Sequence, residues 1–383
     1  MYLYLLIPAI LFLILIGLYV RFKKIDRWLI SYFKGLIQTN KVSDKPIDIL
    51  FLFVDHFELN GKQDRLEAWT DRYPAMAKHH LDSDGRPPCH SFFYALDLMQ
   101  EEELIAMKPV IDKGFGEFEL HWHHDHDTEE SFSRKLDDAM VLFHKHGYMM
   151  PYKDDQAACF SFIHGNWSLA NSRGENFCGL DNEVQVLKDK GCYGDFTYPA
   201  LFSQAQPPFI NNIYYCTNLD ETACYFKGRD ARVNQDQAED EFMIFQGPMT
   251  INWLDWRHKW HPNIEDGDIN QYPTHDDPKR IDAWVRQGIH VKGRPEWQFV
   301  KVFCHGAQDH KSVVSDTTDR MFSYLEKHYN DGKKYRLHYV SAREAYNIVK
   351  AAEADKTGNP NDYRDFIIPH PNNRQLEAAQ CAG

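Results

Sequence analysis

IDILFLFVDHFE, residues 47–58, is a nearly unbroken apolar run that stops at Asp55 and His56. A strand with one wet face alternates apolar and polar residues, so this run predicts a strand buried on both faces, as in a parallel sheet. Similar short runs recur along the chain at 91–96, 117–122, 158–163, 195–198, 242–245, 299–303 and 336–340. Between them lie helix-like stretches at 63–79, 101–113, 128–146, 183–190, 278–287, 311–329 and 342–354. Strands alternating with helices predict an α/β fold with a parallel sheet. Seven or eight such units without a linker predict a closed (β/α)7–8 barrel preceded by a transmembrane helix, with an open doubly wound sheet as the alternative. The barrel domain is expected over 47–354. Long insertions interrupt it at 200–275, and an irregular tail follows at 355–383.

Ahead of this body, residues 1–20, MYLYLLIPAILFLILIGLYV, carry no charged side chain. Twenty helical residues span about 30 Å, the thickness of a bilayer core, which predicts a transmembrane helix. Residues 21–46 form a basic juxtamembrane segment in which Trp28, Leu29, Tyr32, Phe33 and Leu36 recur at near-helical spacing. Residues 1–46 hold seven basic and two acidic side chains, a net of +5 within a chain whose total is −13. The positive flank predicts a single-pass protein with a cytoplasmic body, and a periplasmic or extracytoplasmic body is the alternative. A chain this acidic excludes a nucleic-acid partner, which needs cations to replace phosphate counterions. Eight cysteines without a C-x-x-C pair make no disulfide framework.

Chemistry gathers at strand ends, where barrel enzymes hold their reactive groups. Asp55 and His56 end the first run. In GEFELHWHHDHDT (116–128), period two places Glu117, Glu119, His121 and His123 on one side of a strand. Four histidines and two aspartates within His121–Asp127 supply N and O donors suited to a divalent cation. His164, Asn166, Trp167 and Asn171 follow the 158–163 run, Asp195 opens the next, and His305-Gly306 closes the run at 299–303. Phosphate-binding glycine motifs and a G-x-S-x-G elbow are absent, which removes nucleotide binding and serine hydrolysis. Trp253, Trp256 and Trp260 stand at helical spacing and offer flat apolar faces to sugar rings or to a core.

LFVDHFE, ELHWHHDHD and VKVFCHG together resemble the motifs of the polysaccharide deacetylase (NodB-homology) family, within the glycoside hydrolase/deacetylase β/α-barrel superfamily. The resemblance implies Asp55 as general base, His305 as general acid, and His56, His123 and Asp127 as metal ligands. Asp55, His121, His124 and His126 are alternative ligands. His164, Asn166, Trp167, Asn171 and Asp195 are left to bind or orient substrate. The family's Arg-Pro motif is missing, and HGNW (164–167) stands in its place. The implied activity is metal-dependent deacetylation of an N-acetylated sugar or polysaccharide. Zinc is the expected ion, with cobalt, nickel, manganese or iron as alternatives. The implied partners are a glycan or amino-sugar substrate, the membrane and polysaccharide biosynthesis machinery. An amidohydrolase-like or glycoside hydrolase enzyme, or a non-catalytic glycan-binding assembly protein, are the competing readings.

Overall fold

The computed structural model describes residues 2–37, 45–149, 159–257, 261–269 and 274–371. Its longer helices are α1 (Tyr2–Phe22), α2 (Asp26–Ile37), α3 (Gln63–Glu67), α4 (Tyr73–Ala77), α5 (Glu101–Asp112), α6 (Glu129–Lys145) and α7 (Glu183–Asp189). After these come α8 (Pro278–Arg286), α9 (His310–Val313), α10 (Asp316–Tyr329) and α11 (Ala342–Glu353). The strands are β1 (Ile47–Phe57), β2 (His90–Ala95), β3 (Gly116–Trp122), β4 (Phe160–His164), β5 (Cys192–Asp195), β6 (Ile213–Cys216), β7 (Arg229–Asp230), β8 (Phe242–Phe245), β9 (Thr250–Asn252), β10 (Asn263–Glu265), β11 (Trp297–Cys304) and β12 (Tyr335–Tyr339).

Ten strands form one mixed sheet in the order β11-β1-β2-β3-β4-β5-β8-β6-β7, with β12 also paired to β1. The closed barrel expected from the strand–helix alternation is corrected to an open sheet. Two local features account for this. Past β5 the chain adds antiparallel pairs, β6 against β8 and β7 against β6, which end the parallel series. At the other side β12 does not extend the sheet beyond β11. It pairs with the first half of β1, from Ile47↔Tyr335 to Phe51↔Tyr339, and β2 takes over the same edge from Phe53↔His90 onward. Strand β1 therefore holds β11 along one edge and two successive partners along the other.

Side chains alternate across β1. Phe51, Phe53 and Phe57 join the apolar layer under α5, α6, α7 and α10, which contribute Leu104, Leu136, Leu187 and Phe322. Leu50, Leu52 and Val54 join the opposite layer, which α11 covers with Ala345, Ile348, Val349 and Ala352. A polar ladder on β3 crosses that second face. Glu117 makes a bidentate pair with Arg343 of α11 (2.8 and 2.9 Å), and Glu119 accepts from the Ser161 amide (2.6 Å). His121 and His123 continue the same row to the strand's C-terminal end.

The N-terminal expectation is also corrected. Residues 2–22 are helical, but among the described residues no helix is long and apolar enough to cross a membrane. The transmembrane anchor, its single-pass topology and the location derived from it are withdrawn. The basic segment instead docks on the body. Trp28 and Tyr32 of α2 are buried against Ile210 and Met249. Arg27 donates to the Gln206 carbonyl (3.2 Å) and stacks on Phe226, while Lys23 lies over Phe202.

Candidate metal centre

The face covered by α11 ends, at the C-terminal edge of the sheet, in a cluster of imidazoles. His56 on β1 stacks on His305 (ring centroids 4.6 Å apart) and meets the edge of His121 at 4.6 Å. His121 in turn lies 4.5 Å from His123, and Trp167 closes over His56 at 5.3 Å. Burial first, then the neighbouring His305 and His121, hold the His56 pKa well below its usual value, so this ring is neutral. Its Nδ1 is buried without a hydrogen-bond partner.

Glu58, two residues beyond His56 and on the same face by strand alternation, completes the arrangement. Its Oε1 stands 3.6 Å from His121 Nε2 and 3.5 Å from His123 Nε2. Burial opposes ionisation of Glu58, but the neighbouring His121 and His123 outweigh it, and the carboxyl pKa is lowered. Each imidazole is fixed from behind. His121 Nδ1 lies 3.1 Å from the Ile163 carbonyl. A carbonyl only accepts, so Nδ1 carries the proton and Nε2 presents a lone pair. That Nε2 is buried and has no hydrogen-bond partner. His123 Nδ1 sits 3.3 Å from both Asp97 oxygens. Burial works to lower the His123 pKa, but the Asp97 hydrogen bond and charge raise it overall. Gly165 lies so close to the His123 ring that a Cβ there would collide with it.

A lone pair facing a carboxylate is repulsive unless a positive charge lies between them. Donor atoms held about 2.1 Å from a cation at tetrahedral angles lie roughly 3.4 Å apart, close to the separations found here. The residues therefore fit a divalent ion. A ring held by a carbonyl and a ring held by a carboxylate are the supports that metal-ligating histidines ordinarily have.

Four groups of His, Cys, Asp and Glu among the described residues have donor atoms close enough to share an ion. Two of the other three already hold charge pairs of their own. In His124–His164–Cys178–Glu183, His164 Nδ1 accepts from the Asn166 amide (3.1 Å), so its Nε2 carries the proton toward Glu183, 3.7 Å away. His124 lies between Glu183 (3.0 Å) and Asp127 (3.4 Å), whose hydrogen bonds overcome burial and push its pKa up to about 9. That imidazolium already supplies the cation. Asp82, Asp84 and His338 form an ion network in which both His338 nitrogens meet carboxylates, Asp84 at 2.6 Å and Asp48 at 2.9 Å. The remaining group is Asp55 with His90 and Cys304.

The structure divides the expected site residues. It brings His56, His121, His123 and His305 together beside Trp167. Asp55 is on the opposite, helix-covered face, where it pairs with His90 (2.9 Å) and accepts from the Gly306 amide (2.6 Å). The structure does not bring the expected set His56, His123 and Asp127 together. Asp127 is held by Ser131 (2.7 Å) and Lys135 (2.9 Å) in the His124 cluster, and neither it nor His56 belongs to the group around Glu58. His126 is exposed and pairs with Asp125. Asn166 donates to the His124 carbonyl (3.1 Å) and Asn171 to Asp181 (2.8 Å). Asp195 accepts from Thr197 (2.7 Å) and lies deep in the body; burial raises its pKa to about 7. Trp260 and Cys381 lie outside the described residues, while Trp253 and Trp256 are exposed.

No protein-family model matches the chain, and no curated protein matches it. The deacetylase resemblance is thereby withdrawn. Among solved structures, the crystal structure of 4-alpha-glucanotransferase from Thermococcus litoralis is similar at TM-score 0.40 and 9% identity, covering 77% of this chain and 39% of that one. The chain thus spans about two fifths of that protein's length. Buried clusters able to hold a metal ion remain as the functional signal, without identifying zinc or any other ion.

Proposed function

We propose that the protein is a metal-dependent hydrolase whose divalent cation is held by Glu58, His121 and His123. One observation carries this reading: the His121 nitrogen left with a lone pair by the Ile163 carbonyl, buried without a partner and facing a carboxylate. A cation there would supply Lewis acidity toward a carbonyl and acidify a nearby water. The chain's own groups do the rest. Asp97 and Gly165 hold His123 in place. His305 borders a cleft of about 320 Å3 together with Trp167, Arg173, Asp266 and Asp268, so a substrate in that cleft meets an imidazole suited to moving a proton. Neutral His56 stacks behind His305 and fixes its plane. Asp55, through its bond to the Gly306 amide, anchors the backbone next to His305.

The test is the metal content of the full chain alongside hydrolysis of a panel of esters and amides, N-acetylated amino sugars included. The expected result is a bound divalent ion in the wild type that Glu58→Gln and His121→Ala both lose, with hydrolysis lost in parallel. A folded wild-type chain that takes up no divalent ion under saturating metal would refute the reading.

A further inference from the structure

The His305 cleft does not end at its polar walls. A second cavity, of about 260 Å3, is lined by Val20 of α1, Ile25, Leu29 of α2, Ile251 of β9 and Ile264 of β10. Leu201, Phe202, Asp266 and Asp268 line both cavities. The two are therefore neighbours across one shared wall, apolar toward α2 and polar toward His305. Phe202 adopts φ 63°, a conformation bulky residues avoid, and its ring is 42% exposed under the Lys23 ammonium (4.8 Å).

We propose that the substrate is an acyl ester or amide with an aliphatic chain. The chain lies in the apolar cavity and the scissile carbonyl in the His305 cleft. This rests on the hydrolase reading above and names its substrate class. Water adds across the acyl bond: its hydroxyl goes to the acyl carbon, its proton goes to the departing oxygen or nitrogen, and a fatty acid is released. A methylene takes about as much room as a water molecule in the liquid, roughly 30 Å3, so the cavity suits a chain of medium length. Arg257, His261, Asn263, Glu265 and Arg280 also line this cavity, but Glu265 is paired with Arg280 and Arg257 with Asp255. The side chains of Val20, Ile25, Leu29, Ile251 and Ile264 give the wall that suits an aliphatic chain.

The test titrates the full chain, stripped of metal with a chelator, with acetate, hexanoate and decanoate in a calorimeter. Affinity is expected to rise about three- to four-fold per added methylene until the cavity is full. Leu29→Trp and Ile264→Trp fill the cavity from two different elements, and each is expected to flatten that rise while metal uptake at Glu58, His121 and His123 stays unchanged. Equal affinity for the three acids, or a rise that survives both substitutions in folded protein, overturns the proposal. A chain-length rise in a protein that binds no metal supports the chain site and defeats only the hydrolase reading. Metal uptake without the rise does the reverse.

Discussion

Among the described residues Asp97 hydrogen-bonds His123 and no other member of the Glu58 group, so its part can be isolated. Asp97→Asn keeps an acceptor for His123 but loses the charge that fixes the ring. Metal affinity is expected to fall ten- to one-hundred-fold, read by competition with a chelator, while the thermal midpoint of the metal-free protein stays in place. The same residues show what the sequence could reveal at this scale. His121 and His123 were legible because two histidines one residue apart on a strand must share a face. Asp55 falls on the other face for the same reason, because it precedes His56 by one residue. Glu58, two residues past His56, is the position the period selects, and its signal was present. Asp97 was not legible, because it meets His123 only when the end of β2 folds beside the end of β3, and nothing in its local sequence marks that contact.

Helix α11 is both a cap on one face of the sheet and an electrostatic anchor. Ser341 and Glu344 form a reciprocal cap at its N-terminus, and the buried Glu344 carboxylate also meets Arg364 (2.7 Å) and Arg86 (3.0 Å). Burial opposes its ionisation, but the Arg364 and Arg86 charges prevail and bring its pKa down to about 2. A carboxylate depressed in the folded state stabilises above its unfolded pKa near 4.5 and loses that contribution as pH falls toward 2. Glu344→Gln is expected to cost about 3–5 kcal/mol at pH 7, as for a broken buried ion pair. The difference in urea midpoint between variant and wild type should narrow as pH drops below 4.5; a constant difference would count against the assignment. Elements were the most legible level of the sequence. The long helices and the apolar strands fall where the periodicity puts them, with the run at 195–198 displaced to Cys192–Asp195. Within 200–275 the run at 242–245 forms β8 as expected, whereas β6, β7, β9 and β10, two to four residues each, were missed because so few residues cannot display a period.

Over the whole molecule, the open sheet and the docked N-terminal arm are the features the sequence did not disclose. Closure depends on where edge strands pair, and that is a long-range property invisible to local patterning. The α2 segment misled because an amphipathic helix looks alike whether its apolar face meets lipid or protein. Trp28, fully buried against Ile210 and Met249, is the contact that ties the arm down. Trp28→Ala is expected to weaken that contact by about 3–5 kcal/mol, seen as faster tryptic cleavage after Arg27 with little change in melting of the body. Strand β1 has a further consequence. Its edges are satisfied by residues 90–94, 297–304 and 335–339. Emerging early from the ribosome, β1 must wait for almost three hundred further residues before its last neighbour is synthesised. Until then the nascent polypeptide displays a sticky, unpaired ribbon of Leu and Phe. Messages with premature stop codons would yield products that clump rather than partial enzymes, and efficient production would call on chaperones that shield growing chains.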